Sequence, residues 1–170
     1  MTTTVEKVRT RGHWYIRVRP ETYDATRIQK LADIERIVKD SAVSLRGWDF
    51  PHYDPTERPT RSANYIEQAT DWEHFVELWR AYKSGQFVSV NALSDDWRDQ
   101  SNGWHAPEGW QHGKTLSVED AVFRLVEIYE FAARWSQALG IQESLVIECA
   151  LRGIQNRSLQ LSHGRAPFFY

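Results

Sequence analysis

Asp71-Trp72-Glu73-His74-Phe75-Val76-Glu77-Leu78-Trp79-Arg80-Ala81-Tyr82-Lys83 decides how this chain folds, because it fits two periods. As a strand, it places Val76, Leu78 and Tyr82 on one parity. As a helix, it puts Phe75, Leu78, Trp79 and Tyr82 on one face, with Thr70 and Glu73 as a capping box and Gly85 as a stop. The helical reading accounts for more residues and is the expectation. Downstream, Gln86-Phe87-Val88-Ser89-Val90-Asn91-Ala92-Leu93 is β in type. Upstream, residues 63–69 alternate weakly, as a short edge strand does.

Working outward, residues 13–19 alternate cleanly. Trp14, Ile16 and Val18 face one side, and Tyr15, Arg17 and Arg19 the other; Pro20 ends the strand. Asp24 is expected to cap a helix running to residue 39, with Ile28, Leu31, Ile34, Ile37 and Val38 as its apolar stripe. Residues 41–46 read as a short strand, with Val43 and Leu45 on one face. Residues 47–59, with Pro51, Pro55 and Pro59, read as a loop.

Residues 94–115 form a long polar loop holding Trp97, Trp104 and Trp110. Ser117 opens the clearest helix, with Asp120 reaching back towards the cap as a short capping-box acid. Its expected buried stripe is Val118, Ala121, Val122, Leu125, Tyr129, Ala132 and Leu139, and Gly140 stops it. Residues 144–151 read as a central strand and 158–161 as a last short one. These elements predict one α+β domain over residues 13–161, a mostly antiparallel sheet with about three helices packed mainly on one face. A split β-α-β topology of ferredoxin type is one candidate. Residues 1–12 are expected to be a flexible arm, and 162–170 an aromatic tail ending Phe168-Phe169-Tyr170.

Composition removes several classes. The net charge of -2 leaves no global field to draw the chain to nucleic acid or anionic lipid. Cys149 is the only cysteine, so an internal disulfide and a multi-cysteine zinc site are excluded. No apolar run approaches the roughly 20 residues of a membrane span, and the default address is the cytoplasm. Eight Trp, seven Tyr and seven Phe are the unusual feature. Such side chains serve cores and recognition surfaces alike.

No cofactor motif is present, neither a phosphate-binding glycine pattern nor a nucleophile elbow. Asp49, His52 and Asp54 lie close together, but their spacing specifies no metal. Cys149 sits in an apolar run, where a thiol is a small hydrophobe. The leading expectation is therefore a binding module rather than an enzyme, with a protein partner or a nucleic acid as its target. Arg17 and Arg19 with Tyr15 offer phosphate neutralisation plus a stacking ring. Trp48, Asp49 and His52 follow as recognition residues in the next loop, with Phe50 and Trp14 assigned to the core. The alternative is a small enzyme or small-molecule binder with a pocket between residues 48–54 and 97–112, His52 acting as acid/base and Asp49 orienting it. Homo-oligomer assembly through the aromatic tail is a third reading.

Gly12-His13-Trp14-Tyr15-Ile16-Arg17-Val18-Arg19-Pro20, Leu45-Arg46-Gly47-Trp48-Asp49-Phe50-Pro51-His52 and Ser84-Gly85-Gln86-Phe87-Val88 resemble the region that follows the N-terminal domain in bacterial DNA-binding proteins of the Schlafen/AlbA-like class. The resemblance spans residues 13–161. The AlbA-like domain behind the DNA-binding label is not among these residues, so the resemblance implies a bacterial accessory or sensor module in regulation or defence.

Overall fold

The computed structural model describes residues 3–100, 102, 103, 105, 108 and 110–161. Trp104 and the 162–170 tail lie outside the described residues. In chain order the elements are α1 (Thr4–Val8), β1 (His13–Pro20), α2 (Leu31–Ser41), β2 (Thr60–Arg61), β3 (Tyr65–Trp72), β4 (Phe75–Tyr82) and β5 (Phe87–Ala92). A 3-10 helix (Ser94–Gln100), β6 (Thr115–Ser117), α3 (Val118–Ala138), β7 (Leu145–Arg152) and β8 (Ser158–Gln160) complete the chain. Six strands build one antiparallel sheet in the order β2-β3-β4-β5-β1-β7, while β6 and β8 pair in parallel beside it. The α+β class with a mostly antiparallel sheet is thus observed. Both neighbours of β1 are antiparallel to it, so the topology is not the split β-α-β arrangement.

The 71–83 segment is a strand, not a helix. β3 and β4 form a hairpin, with Trp72 opposite Phe75 and Glu73 at φ 50 in the connection. β4 is paired along both edges, by β3 and by β5. Two ladders of hydrogen bonds and the burial of Trp79 and Ala81 outweigh the helical spacing, because β preference is set by pleated packing against neighbours. The Thr70/Glu73 capping box fails because Thr70 lies within β3. A true capping box sits instead at Thr3 and Glu6, opening α1 inside the segment expected to be a flexible arm.

The core lies between the sheet and two helices. Trp14, Ile16 and Val18 of β1 point into it as expected, and α2 and α3 pack over that face. Phe50, Trp79, Phe87, Phe131 and Trp135 are fully buried there. Phe87 and Phe131 are 4.5 Å apart, and Phe50 meets Phe131 edge-on at 5.5 Å. Two of the buried indoles keep their polar tips satisfied: Trp79 donates to the His52 carbonyl at 2.7 Å and Trp135 to the Gly85 carbonyl at 2.8 Å. Truncating any of these rings to Ala would cost about 3–5 kcal/mol. A smaller cluster on the opposite face joins Val8 of α1 to Val76, Val90 and Trp97.

Other boundaries shift. α2 starts at Leu31 rather than after Asp24, whose carboxylate instead holds the Thr26 amide in a local turn. The 41–46 strand reduces to one bridge, Val43 with Phe50. β3, expected at an edge, is interior, and β7, expected to be central, is an edge. No helix among the described residues is long and apolar enough to cross a membrane.

Candidate functional site

The core-facing parity of β4 and β5 turns polar towards one end of the sheet. There Glu77 lies opposite Asn91, one pair beyond Trp79 and Ser89. Glu77 is only 3% exposed. Its carboxylate accepts from Trp48 Nε1 at 3.0 Å and from Asn91 Nδ2, and Asn91 is in turn held by the Ser89 hydroxyl at 2.8 Å. Burial pushes the Glu77 carboxyl above its ordinary value, against the opposing pull of Arg124 and the two donors.

Facing it, the first turns of α3 carry Asp120, Arg124 and Glu127. The helix starts here because the Ser117 hydroxyl accepts from the Asp120 amide at 3.1 Å. The Asp120 carboxylate does not reach back to the cap; it binds Arg46 at 2.9 Å. Arg46 also grips Glu127 with two parallel bonds of 2.9 Å. Despite the cost of its burial, the Glu127 and Asp120 carboxylates lift Arg46 above the ordinary guanidinium value. Arg124 has less. Its Nη1 lies 3.2 Å from Glu127 Oε2 but makes no aligned hydrogen bond, while the guanidinium sits over the Phe50 ring at 5.1 Å. Burial lowers Arg124 below the usual guanidinium value, with Glu127 and Glu77 pulling the other way.

These groups line a cleft of about 230 Å³ whose walls include Arg46, Trp48, Glu77, Asn91, Ser94 and Arg124. A smaller recess of about 40 Å³ shares Arg46, Ser94 and Arg124 and extends towards Trp14 and Arg157. His74 and Arg98 also line the larger cleft. Burial, and then the charge of Arg98, lowers the His74 imidazole below its usual value. Buried Glu77 and half-buried Arg124, of opposite charge, therefore line one cavity without forming a direct ion pair, and Arg124 Nη1 makes no hydrogen bond.

Trp48 is stacked between His52, at 3.8 Å, and Phe75, at 3.9 Å, with exposed Trp72 beyond at 5.8 Å. Of the residues the sequence singled out in this loop, Trp48 reaches the cleft wall. Asp49 and His52 do not line it. His52 is a stacking partner, and its buried Nδ1 has no hydrogen bond. Phe50 and Trp14 are core, as expected. Among the described residues no three His, Cys, Asp or Glu side chains cluster as a metal site requires.

The other predicted surface lies on the opposite face. Tyr15 packs against the Val8/Trp97 cluster and carries the Arg152 guanidinium over its ring at 4.6 Å. Arg17 donates to Gln86 at 3.0 Å and lies 3.8 Å from Glu148; Arg19 bonds the Pro20 carbonyl. Nearby Arg80 is paired with Glu67 at 2.5 Å. The strip is thus partly covered and its arginines are partnered, and the structure brings none of it to the cleft.

Sequence reasoning missed Glu77, Arg46, Asp120, Arg124 and Glu127. The available signal was a carboxylate on the core parity of Trp79 and Ala81, visible once 71–83 is read as a strand. No protein-family model matches the chain, and neither a curated protein nor a solved structure matches it.

Proposed function

We propose that this chain is a binding domain for a small polar molecule, seated in the cleft between the loop at Arg46 and Trp48, the Ser94–Gln100 helix and the start of α3. The observation that carries this reading is the half-buried Arg124, whose covered Nη1 makes no hydrogen bond, lining the same cleft as the buried Glu77. A buried polar group without a partner costs about 1–3 kcal/mol, so a ligand that supplies one regains that energy. The matching ligand presents an acceptor, such as a carboxylate or amide oxygen, to Arg124. It presents an N–H or O–H to Glu77. A cavity of about 230 Å³ lies just under the range of roughly 300–1,000 Å³ typical of drug-sized ligands and suits a metabolite rather than a peptide.

The reading places the ligand close to where the small-molecule alternative expected a pocket, with different residues doing the binding. It supports binding over acid/base chemistry at His52, which is stacked away from the cleft. Nucleic-acid binding through Arg17, Arg19 and Tyr15 has the weaker case, since those arginines already have partners. An accessory or sensor role in a bacterial protein, implied by the resemblance, is compatible with a domain that reports a metabolite.

The test is thermal denaturation of the full chain against free amino acids, dicarboxylates, nucleobases and nucleosides. A true ligand at about 100 times its Kd adds about 2.7 kcal/mol of stability. The gain should vanish in Arg124→Met and Glu77→Gln. A panel with no hit, or a hit that both variants retain, defeats the proposal.

A further inference from the structure

The two edges of the sheet are built differently. One ends in β2, two residues long and preceded by Pro59, the short and proline-flanked kind of edge that resists pairing. The other ends in β7, which pairs with β1 through eight consecutive residues without a bulge. β7 reads Leu145-Val146-Ile147-Glu148-Cys149-Ala150-Leu151-Arg152 and contains no Pro, Gly or Lys. Beyond it no strand follows among the described residues. A long, regular edge of this kind, with Glu148 and Arg152 its only charged residues, is a template for another strand.

The helix beside that edge is apolar on its outer side as well. Val122, Leu125, Val126 and Tyr129 of α3 are exposed by 53%, 38%, 49% and 57%. A groove lined by Tyr129, Ala133, Leu145 and Ile147 connects this patch to β7. A contiguous apolar surface of helix and strand edge is uncommon on a surface that stays in water.

We infer that this face joins a second copy of the chain, β7 against β7 in antiparallel register, with the two α3 helices side by side. Charge selects both the occupant and the register. Opposed residues of an antiparallel pair share a face, so a two-fold pairing must centre on a residue. Centred on Glu148, it opposes two carboxylates. Centred on Cys149, it leaves Glu148 and Arg152 facing Ala150 and Val146. Centred on Ala150, it sets Glu148 of each copy opposite Arg152 of the other, twice per dimer, and cross-strand pairs of opposite charge are stabilising. The β7 sequence is therefore complementary to itself in that one alignment.

Sedimentation of the full chain tests this, with Glu148→Lys and Arg152→Glu as probes. Both side chains are at the surface, so melting curves should show each variant folded. Wild type is expected at twice the 19.9 kDa chain mass. Each variant alone opposes like charges and should dissociate at about tenfold lower dilution. An equimolar mixture restores both opposite pairs and should recover the wild-type dimer. Within one chain positions 148 and 152 are too far apart along the strand to pair, so rescue by mixing reports only contact between copies. A monomeric wild type, a dimer indifferent to both variants, or variants that mixing does not rescue would each overturn the inference. So would a monomer that dimerises only when residues 162–170 are removed, which would make that tail the occupant.

Discussion

Two buried charge clusters lie within this chain, and the protein bonds one of them far more fully than the other. Asp96, 2% exposed, accepts from the Gly12 amide and the Gly113 amide at 3.0 Å each. It also accepts from both terminal nitrogens of Arg157, at 2.8 and 2.5 Å. Arg157 further binds the Thr115 and Gly153 carbonyls, leaving only its Nε without a partner. The cluster clips together the start of β1, the 3-10 helix and the turn before β8. The other cluster, Glu77 with Arg124, has donors for the acid, a misaligned neighbour for the base, and an open cleft between them. Burial of charge alone does not mark a binding site; what sets this pair apart is spare bonding capacity beside an open cleft.

The comparison is broken most forcefully at the completed cluster. Asp96→Ala leaves Arg157 buried and unpaired and should cost about 3–5 kcal/mol. For a chain of this size that lowers Tm on the order of 10 °C. Asp96→Ala should not alter ligand selectivity at the cleft. Gly12→Ala attacks the same place through packing. A Cβ there would sit 2.8 Å from Asp96 Oδ2 and press into Arg157 and Leu93. Its cost is expected at about 1–3 kcal/mol, measurable by urea denaturation. If both substitutions proved neutral, the clip would have no structural role.

The incomplete cluster should respond in the opposite way. Glu77→Gln keeps the side chain's shape and removes its charge. The folded Glu77 carboxyl has a raised pKa, so the folded state holds this proton more tightly than the unfolded state. Wild-type stability therefore falls as pH climbs from the ordinary carboxyl value through the raised one, then levels. Glu77→Gln abolishes that decline. It should be more stable than wild type at neutral pH and equal to it below the ordinary carboxyl range, while losing the ligand. Melting curves across pH decide it: a Glu77→Gln variant destabilised at neutral pH would place this acid with Asp96 among the structural charges.

Why the cleft was hard to read follows from its own residues. Alternation at Trp14, Ile16 and Val18 revealed β1, and Ser117 with Gly140 bounded α3, because these signals are local. The phase of α3 was not local. Its buried face is Glu127, Ile128, Phe131, Ala132 and Trp135, reached through Arg124, whereas counting apolar residues selects Val122, Leu125 and Tyr129, which are exposed. The charges of the cleft disguised the inward face, and the apolar edge surface advertised the outward one. Similarly, helical spacing across 71–83 put Glu77 with the solvent-facing residues, when only cross-strand pairing reveals it beside Trp79 in the core. Asp96 and Arg157 are 61 residues apart in the chain, and no local pattern joins them.

The finest distinction between the clusters concerns Trp48, the one sequence-predicted residue that reaches the cleft. Trp48→Phe keeps a ring between His52 and Phe75 but removes the Nε1–H that Glu77 accepts. That bond favours the charged carboxylate, so its loss should raise the Glu77 pKa further. The cost should be about 1 kcal/mol above the raised Glu77 value and shrink as pH falls through it, where the acid is protonated in both proteins. A double-mutant cycle with Glu77→Gln isolates the interaction. Should Trp48→Phe cost the same at every pH, the indole would be acting through packing alone, and Glu77 would owe its state to burial and Asn91.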